Sequence, residues 1–386
     1  MNMKTIVNIC LNGPYSDGFS YQDNLLPKYH RRLGFRVFVI APTWKWGTNG
    51  LLEHVPPSQY VDENGVEIIR IENDQKKPVL HRFKTYSQLI PTLDRVKPDI
   101  IFLHGCQMVD SSSVASYVKQ HVDIRLYVDN HADDFNSAHS YLSTHILHNL
   151  LWKSKAKQLD KVASQFWGVT ENAIEFLHKH YDISEERIGI LPLGADDDLI
   201  TSPERDQIRD QTRRLYGICP DDLLLVTGGK LDRGKNIEPL ISVVEKSQNR
   251  LKLLCFGSIQ EDLLPFFSEI DASRVIYAGW QDATGVRNIL FAADFAVFPG
   301  SQSSLWTQTV ATGVPGAFRY WKGGNPVDLG GNCILMKEGN EKEIHGIVDL
   351  ILSDSSVLDN MRKVALKAGP EKLAYSKIAR KSIGLE

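Results

Sequence analysis

The chain has 386 residues, more than one typical hydrophobic core needs, and its 42% hydrophobic and 24% charged residues are typical of a soluble globular protein with two domains. A net charge of −3 provides no overall basic field, so we expect no nucleic-acid partner. The five cysteines are scattered without a CxxC pair and no run of about 18 apolar residues is present, so we expect a cytoplasmic protein with reduced thiols and no membrane span. Residues 4–10 form one short apolar run, which favours a strand over a signal peptide.

Apolar runs of strand length alternate with helical patterns along the first half of the chain. We predict helices at residues 21–33 and 84–96, and buried strands at residues 5–10, 36–41, 66–71, 99–103 and 124–128. This alternation indicates an α/β fold in which a mostly parallel sheet is covered by helices on both faces.

Residues 141–161 carry apolar side chains at helical spacing, followed by a lysine-rich end. The pattern favours an ordinary domain helix whose basic end is solvated. The alternative is a peripheral contact with an anionic membrane surface.

The second half of the chain repeats the alternation, with strands predicted at residues 223–226, 251–256, 274–277, 295–298 and 333–336. We place the joint at residues 189–205 and predict doubly wound domains at residues 1–194 and 195–370. A C-terminal helix at residues 371–386 is expected to pack back toward the first domain. Open α/β sheets bind ligands at the carboxyl ends of their strands, so we expect a cleft at those ends.

The stretch VTGGKLDRGKN, residues 226–236, joins an apolar strand to a helix that begins near Ile237. Glycines at a helix N-terminus expose backbone N–H groups to an anion, and Lys230 and Lys235 add positive charge, so the stretch predicts a diphosphate site at Gly229. Neither GxxxxGK[ST] nor GxGxxG is present, which excludes the P-loop and dehydrogenase fingerprints. The alternative is an ordinary strand–turn–helix corner with surface lysines.

Five motifs occur in a characteristic order: GFSYQDNLLPKYHRRLGFRVFVIAPT, LYVDNHADDFNSAHS, FWGVTENAIEFLHKHYDISEERIGILPLGADDD, GGKLDRGKN and AADFAVFPGSQSSLWTQTVATGVP. With them the chain resembles the family-4 retaining glycosyltransferases of the GT-B fold over nearly its whole length. Within that family it is most similar to enzymes of bacterial capsule, O-antigen and exopolysaccharide assembly. The resemblance implies two Rossmann-like doubly wound domains that face each other across a cleft and bind a nucleotide-sugar donor.

The resemblance also implies roles for residues of the second domain. Lys230 and Lys235 match a basic pair that stabilises the departing diphosphate without a metal, although arginine is common at the first position and lysine lacks its planar fork. The family's two glutamates fall at Gly300 and Gln308, so both carboxylates are missing here. The remaining donor contacts are expected from the backbone amides of Ser304 and Leu305, the ribose partner Gln308, the sugar-side residues Gln302 and Ser303, and Trp280. Trp280 either stacks on the base or belongs to the core, and residues 319–324 are either a rim of the donor site or a solvated loop.

In the first domain the resemblance implies that His131 contacts the donor sugar near its reacting carbon. Without it, His131 would be read as a histidine satisfied by neighbouring carboxylates. Gly18 matches a glycine that lets a loop approach the diphosphate or the acceptor closely. Asp17, His104 and Asp134 are the candidate acceptor-side residues. Asp17 and Asp134 lie in the loops at 13–20 and 133–139, and His104 follows the strand predicted at 99–103.

The predicted function is therefore retaining transfer of a sugar, most often from a UDP-sugar in this family, to a lipid-linked or polymeric glycan. We expect no cofactor and no metal, and residues 196–198, DDD, favour a solvated turn over a metal site. Loss of both glutamates leaves two alternatives open: a non-catalytic GT-B module that binds a nucleotide or glycan, and a nucleotide-sugar isomerase.

Overall fold

The computed structural model describes residues 3–47, 51–75, 83–134, 137 and 143–385. The described chain divides into two compact units. One comprises the residues up to Pro192 together with those from Ile378 onward, and the other comprises Leu193–Lys377.

The first unit is built on a sheet of eight strands in the order β10-β9-β8-β7-β1-β2-β6-β5. All neighbouring strands are parallel except β5, which pairs antiparallel with β6 at one edge. The strands are β1 (Thr5–Ile9), β2 (Arg36–Pro42), β5 (Ser58–Val61), β6 (Glu67–Ile71), β7 (Ile100–Leu103), β8 (Arg125–Asn130), β9 (Gln165–Gly168) and β10 (Ile188–Ile190), and a separate hairpin holds β3 (Trp44–Trp46) and β4 (Leu52–His54).

The helices of the first unit follow the strands in the alternation expected of an α/β fold. They are α1 (Gln22–Arg32), α2 (Leu89–Val96), α3 (Ser111–Gln120), a π-helical segment (Ser143–Trp152), α4 (Lys153–Asp160), α5 (Glu171–Tyr181) and a 3₁₀ turn (Glu185–Arg187). The first turn of α5 is capped by Thr170, whose hydroxyl accepts a hydrogen bond from the Ala173 amide, as an N-cap threonine should.

The second unit contains a six-stranded, wholly parallel sheet in the order β13-β12-β11-β14-β15-β16. Its strands are β11 (Leu223–Gly228), β12 (Leu251–Phe256), β13 (Val275–Tyr277), β14 (Phe295–Phe298), β15 (Gly316–Arg319) and β16 (Cys333–Met336). Its helices are α6 (Asp197–Ile200), α7 (Arg205–Leu215), α8 (Glu238–Lys246), α9 (Leu264–Phe267), α10 (Ala283–Ala292), α11 (Ser304–Ala311), α12 (Glu341–Ser353) and α13 (Ser355–Leu373), with 3₁₀ turns at Arg233–Lys235 and Glu261–Leu263. The last helix, α14 (Tyr375–Ser382), continues into the residues that belong to the first unit.

Both faces of the second sheet are buried, which explains why its strands are apolar at successive positions. Leu224 and Val226 of β11 pack into one core with Trp306 of α11, while the intervening Leu225 packs into the other core with Leu240 of α8. Successive residues of a strand point to opposite faces, so a continuous apolar run predicts a sheet with helices on both sides. Within the described residues, every helix is too short or too polar to cross a bilayer.

The helix predicted at residues 84–96 was wrong in its first turn, because α2 begins only at Leu89. Lys84 has a φ of +55°, outside the helical region, and two carboxylates hold the backbone that follows. The Tyr86 amide donates to Asp110 Oδ2 at 2.5 Å and the Ser87 amide donates to Asp74 Oδ2 at 2.7 Å. These side-chain acceptors replace the carbonyls of a helical turn.

Two further predictions differ from the observed elements. Residues 143–152 of the segment predicted as one helix at 141–161 are π-helical, while residues 141 and 142 lie outside the described residues. Arg319, interpreted as part of a glycine-rich loop, ends β15. The short strands β3, β4, β5, β9, β10 and β15 were not predicted, because each contains a polar residue or a glycine and so lacks a continuous apolar run.

Candidate functional site

Asp129, near the end of β8, is the centre of a buried polar network at the carboxyl edge of the first sheet. Its Oδ2 accepts a hydrogen bond from Gln22 Nε2 at 2.7 Å, and its Oδ1 accepts one from the Gly105 amide at 2.7 Å. The side chain is fully buried. Although burial opposes ionisation, the neighbouring His131 and His104 lower the pKa of Asp129, so the network is built around a carboxylate.

His131 and His104, both predicted site residues, share this carboxylate. Oδ2 of Asp129 lies 3.3 Å from His131 Nε2 and 3.4 Å from His104 Nδ1. His104 is buried, whereas the His131 side chain is 43% exposed and remains accessible to a ligand. Burial disfavours the imidazolium of His131, but Asp129 raises its pKa above the ordinary value. This edge therefore presents an accessible histidine that is held by a buried carboxylate, which favours its charged form.

His104 also belongs to a group with Cys10 and Asp23, whose ligand-type atoms lie within 4.8 Å of one another. Such a group is capable of holding a metal ion, but its protonation opposes coordination. Burial raises the pKa of Cys10 to about 12. Burial lowers the pKa of His104, but Cys10, Asp23 and Asp129 raise it well above the ordinary value, and this favours the protonated imidazole. Residues 196–198, predicted as a solvated turn, instead begin the short helix α6, where the Asp196 side chain accepts a hydrogen bond from the Asp198 amide.

Asp17 and Gly18 lie in the turn that follows β1, and side chains of β5 and β6 hold this turn. Asp17 Oδ2 accepts a hydrogen bond from Arg70 Nη2 at 2.8 Å, and Asp17 Oδ1 accepts one from the Tyr60 hydroxyl at 2.7 Å. Gly18 has a φ of +73°, in the region that favours glycine. These contacts make Asp17 a fixed support of the turn, with a 40% exposed side chain.

Asp134 forms ion pairs with two residues of α5. Its two carboxylate oxygens each lie 2.7 Å from a basic group of that helix, one from Lys179 Nζ and the other from His180 Nε2. The loop around it was also predicted to read the acceptor, but residues 135, 136, 138 and 139 lie outside the described residues. Asp134 therefore ties the start of this loop to the helix.

Three glycines approach one another at the carboxyl edge of the second sheet. Gly229 follows β11, Gly257 follows β12 and Gly279 follows β13. The Gly257 amide donates to the Gly279 carbonyl at 2.8 Å, and a Cβ on Gly257 would lie 1.9 Å from the Gly229 carbonyl oxygen. The backbones meet here at a distance that only glycine permits. Trp280, the next residue, is 73% exposed, so it is not a core tryptophan.

The two predicted lysines differ in environment. Lys230 is exposed and makes no hydrogen bond or ion pair with the residues that the structure describes. Lys235 ends a 3₁₀ turn and its Nζ donates to the carbonyls of Ser301 at 2.9 Å and Gln302 at 3.2 Å. Burial lowers the pKa of Lys235, while Asp232 opposes that shift. The structure thus brings Lys235 together with the loop that follows β14.

Gly300, at one of the two positions where the family carries a glutamate, is packed too closely to hold a side chain. The Ser301 amide donates to the Gly234 carbonyl at 2.8 Å, which presses the two loops together. A Cβ on Gly300 would lie 2.2 Å from the Gly234 oxygen and 2.3 Å from the Lys235 carbonyl carbon, both backbone atoms. The Lys235 turn therefore occupies the space that a side chain at position 300 would need.

The N-terminus of α11 has the features of an anion site. Ser303 is the N-cap residue, yet its hydroxyl makes no side-chain cap, and this buried oxygen has no hydrogen-bond partner among the described residues. Ser304 and Leu305 begin the helix, where amides have no intrahelical acceptor. Gln302 is exposed and its Nε2 donates to the Gly324 carbonyl. Gln308 lies one turn into α11 and is half-buried.

The lysine-rich end of the segment at 141–161 is held mainly by internal contacts. Lys153 pairs with Asp182 at 3.2 Å, Lys155 donates to the Ser112 hydroxyl at 2.8 Å, and Lys157 donates to the Asp182 carbonyl at 2.9 Å. Leu150 is 65% exposed.

Sequence reasoning missed Asp129 and Lys84. Asp129 stands inside a quoted motif at the end of a buried strand, a position where a carboxylate points to the ligand edge, so its signal was present. Lys84 lies in a stretch that was assigned to a helix, and nothing in the local pattern indicated its partial burial beside two cavities.

Comparison with known proteins finds a match to one family model and similarity to solved structures. Residues 25–199 match the model of the family described as Glycosyltransferase Family 4. The structure of Anabaena Alr3699/HepE in complex with UDP aligns with a TM-score of 0.67 and 13% identity over 98% of each chain. Sucrose-phosphate synthase from Thermosynechococcus elongatus aligns with a TM-score of 0.68 and 15% identity over 99% of this chain and 98% of its own. WaaG, a glycosyltransferase involved in lipopolysaccharide biosynthesis, aligns with a TM-score of 0.62 and 16% identity over 98% of this chain and 99% of its own.

These TM-scores show a shared fold, GT-B, with two Rossmann-like units, and confirm the predicted α/β class. No curated protein sequence matches the chain.

Proposed function

Because residues 25–199 match the model of glycosyltransferase family 4 and the chain has the GT-B fold, we propose that the protein is a retaining glycosyltransferase that uses a nucleoside diphosphate sugar. The observation that carries this proposal is the packing of the Lys235 turn against Gly300 and Ser301, beside the uncapped N-terminus of α11. An ammonium group and free amides are the groups that a departing diphosphate requires.

The donor nucleotide that we propose is UDP. The similar HepE structure is a complex with UDP, which supports a uridine nucleotide, and the exposed Trp280 beside the glycine edge offers a surface for the base. Gln308, in place of a carboxylate, would accept a ribose hydroxyl through its amide oxygen. The sugar that we propose to be transferred is a hexose or a related residue, with Gln302 and Ser303 on its side of the site.

The mechanism follows from where charge develops. As the bond between the anomeric carbon and the diphosphate oxygen breaks, negative charge grows on the diphosphate. Its stabilisation is greater in the transition state than in the ground state and would come from Lys235, Lys230 and the amides of Ser304 and Leu305. We propose that the acceptor hydroxyl attacks the same face, forming the new glycosidic bond while its proton passes to the departing phosphate oxygen. This route retains the anomeric configuration and requires no metal. His131, fixed by Asp129, would contact the sugar at its reacting end.

The acceptor that we propose is a lipid-linked or polymeric glycan in the synthesis of a bacterial surface polysaccharide. WaaG, of similar fold, acts in lipopolysaccharide biosynthesis, which supports this class. We propose a cytoplasmic site of action. A contact of the segment at 143–161 with an anionic membrane gains support from the exposed Leu150 but little from Lys153, Lys155 and Lys157, because these lysines are engaged within the unit.

Thermal shift against UDP, GDP, ADP, CMP and their common sugar conjugates tests the donor class, because a ligand that binds the native state raises the Tm with its concentration. We expect UDP to raise the Tm of the wild type and to do so less in Lys235→Ala. Turnover of the matched UDP-sugar should fall at least about tenfold in that variant, the value of one charge-assisted contact. Lys246→Ala is the matched control, since Lys246 is an exposed lysine of α8 that pairs with Glu341. Equal UDP affinity and equal turnover in wild type and Lys235→Ala would remove the loop from the site.

A second function, a non-catalytic module that binds a nucleotide or glycan, is favoured by one observation. A side chain that carries a carboxylate has no space at position 300, because its Cβ would collide with the backbone of Gly234 and Lys235. UDP release that depends on an added glycan would exclude this alternative, whereas tight UDP binding without release of UDP from any UDP-sugar would favour it.

A further inference from the structure

Lys84 is a partly buried ammonium group without an ionic partner in the described parts of the chain. Its Nζ donates hydrogen bonds to Asn12 Oδ1 and, at 3.2 Å, to the Gln107 carbonyl, which are both neutral. No carboxylate forms an ion pair with it in those ranges. Burial lowers the pKa of Lys84 to about 8, a sign that the folded chain by itself does not compensate this charge.

Two cavities of the first unit meet at Lys84. Both are lined by Asn12 and Lys84, and they differ in every other residue. The first has a volume of about 380 Å³ and is mainly apolar, with Pro42, Trp44 and Tyr86 in its wall. The second has a volume of about 450 Å³ and is polar, with Gln107, His131 and His148 in its wall.

The position of the charge between these cavities is what calls for an explanation. Neutral donors such as an amide would bridge Asn12 and Gln107 without the cost of a poorly compensated charge. An ammonium group at that place is useful when an anion binds to it, because the pair then satisfies both charges. The polar cavity fits a part of the ligand that is rich in hydroxyl groups, and the apolar cavity fits an apolar part on the other side of the anion.

We propose that Lys84 is the phosphate-binding residue of the acceptor site, with the acceptor sugar in the polar cavity beside His131 and an apolar chain in the cavity lined by Trp44. The inference rests on the proposed glycosyl transfer and deepens it, since it selects a glycosyl phosphate or diphosphate attached to a lipid from the two proposed acceptor classes. A polymeric glycan with an acidic sugar offers a carboxylate to Lys84 but leaves the apolar cavity without an occupant.

Calorimetric binding of geranyl diphosphate tests this assignment, with geraniol and glucuronic acid as the probes that lack the phosphate or the apolar chain. We expect geranyl diphosphate to bind the wild type more tightly than either comparison probe. Its affinity should fall about tenfold or more in Lys84→Met and stay within about threefold in Lys84→Arg, which keeps the charge.

A diphosphate probe can also bind at the donor loop, so the same titrations are made in Lys235→Ala and with UDP. We expect Lys235→Ala to weaken UDP and leave geranyl diphosphate unchanged, and Lys84→Met to do the reverse. Retained UDP binding and a cooperative thermal transition show that Lys84→Met is folded. Geranyl diphosphate affinity that is unaffected by Lys84→Met, or lost in Lys235→Ala, overturns the inference, as does tighter binding of glucuronic acid. Absence of UDP binding in the wild type would instead count against the proposed function. The geranyl diphosphate titrations of wild type and Lys84→Met would still decide the Lys84 assignment.

Discussion

The buried carboxylate of Asp129 is shared by two histidines, with His131 Nε2 at 3.3 Å and His104 Nδ1 at 3.4 Å from the same oxygen. One of these histidines is 43% exposed and the other is buried, so a single anion links an accessible group to the core of the first unit. The orientation and protonation of His131 therefore depend on a residue that no ligand needs to touch.

Replacing Asp129 by asparagine should reduce stability in a pH-dependent way. The pKa of Asp129 is lowered from 3.8 in the folded chain, so its contribution to stability is present above pH 3.8. The pKa of His104 is raised above 6.5, so its contribution to stability is complete below pH 6.5 and is lost as the pH rises through the folded-state pKa. We expect the Tm difference between wild type and Asp129→Asn to be largest between pH 3.8 and 6.5 and to shrink at alkaline pH. Thermal melts across this range measure it, with the exposed Asp123→Asn as the control for loss of one charge. A constant difference at all pH values would contradict the shared ion pair.

Replacing His131 by alanine should lower turnover more than it lowers UDP affinity, because we propose that this histidine faces the sugar. Loss of one charge-assisted hydrogen bond to the sugar should lower turnover about tenfold or more. Steady-state kinetics and UDP titration separate the two effects, and His121→Ala provides a matched change at an exposed site of the same unit. Loss of UDP binding with an unchanged catalytic rate would be the opposite of the expected pattern.

Restoring a side chain at position 300 should damage the donor loop. In Gly300→Ala the new Cβ would meet the Gly234 oxygen at 2.2 Å, so the Lys235 turn must move. We expect both Gly300→Ala and Gly300→Glu to lower the Tm and the UDP affinity, the glutamate more strongly. Gly346→Ala is the control, since a Cβ there has no atom within 4 Å and lies in α12, where alanine is favoured. Tighter UDP binding by Gly300→Glu would indicate that the loop adapts to the carboxylate.

The charge of Lys84 should appear in the pH dependence of stability when no ligand is bound. Its pKa is lowered from 10.5 to about 8 in the folded chain, so the unfolded chain binds more protons between these values and folding becomes more favourable as the pH rises through them. We expect the Tm of wild type relative to Lys84→Met to increase from pH 8 to pH 10. Melts of the two proteins and of the exposed-site variant Lys119→Met provide the comparison, and a flat difference would mean that the ammonium is well compensated.

The alternation of strands and helices along the chain followed from the sequence because it depends on local patterns. The strand at 251–256 and the strand at 295–298 match the observed bounds, since continuous apolar runs of this length identify buried strands. Lys235 could be singled out because the glycines and the following helix stand next to it in the chain. The packing of Gly300 on that turn could not, because it depends on two loops that are 66 residues apart, as Lys235 and Ser301 are.

The same distinction separates the histidines from their surroundings. His131 was identified from its place after a strand, but its partnership with His104 arises from the adjacency of β7 and β8. Lys84 shows the limit most clearly, since its cavities are formed by residues near 12, 42 and 107 that meet only in the folded sheet.

The end of α14 has a consequence for the order in which the chain folds. Ser382 is hydrogen-bonded to the buried His30 at 2.9 Å, and its carbonyl accepts from Trp167 Nε1 at 3.0 Å. These contacts fill the first unit with residues that follow the whole of the second unit in the chain. On the ribosome, His30 and Trp167 therefore lack these partners until the whole of the second unit has been synthesised.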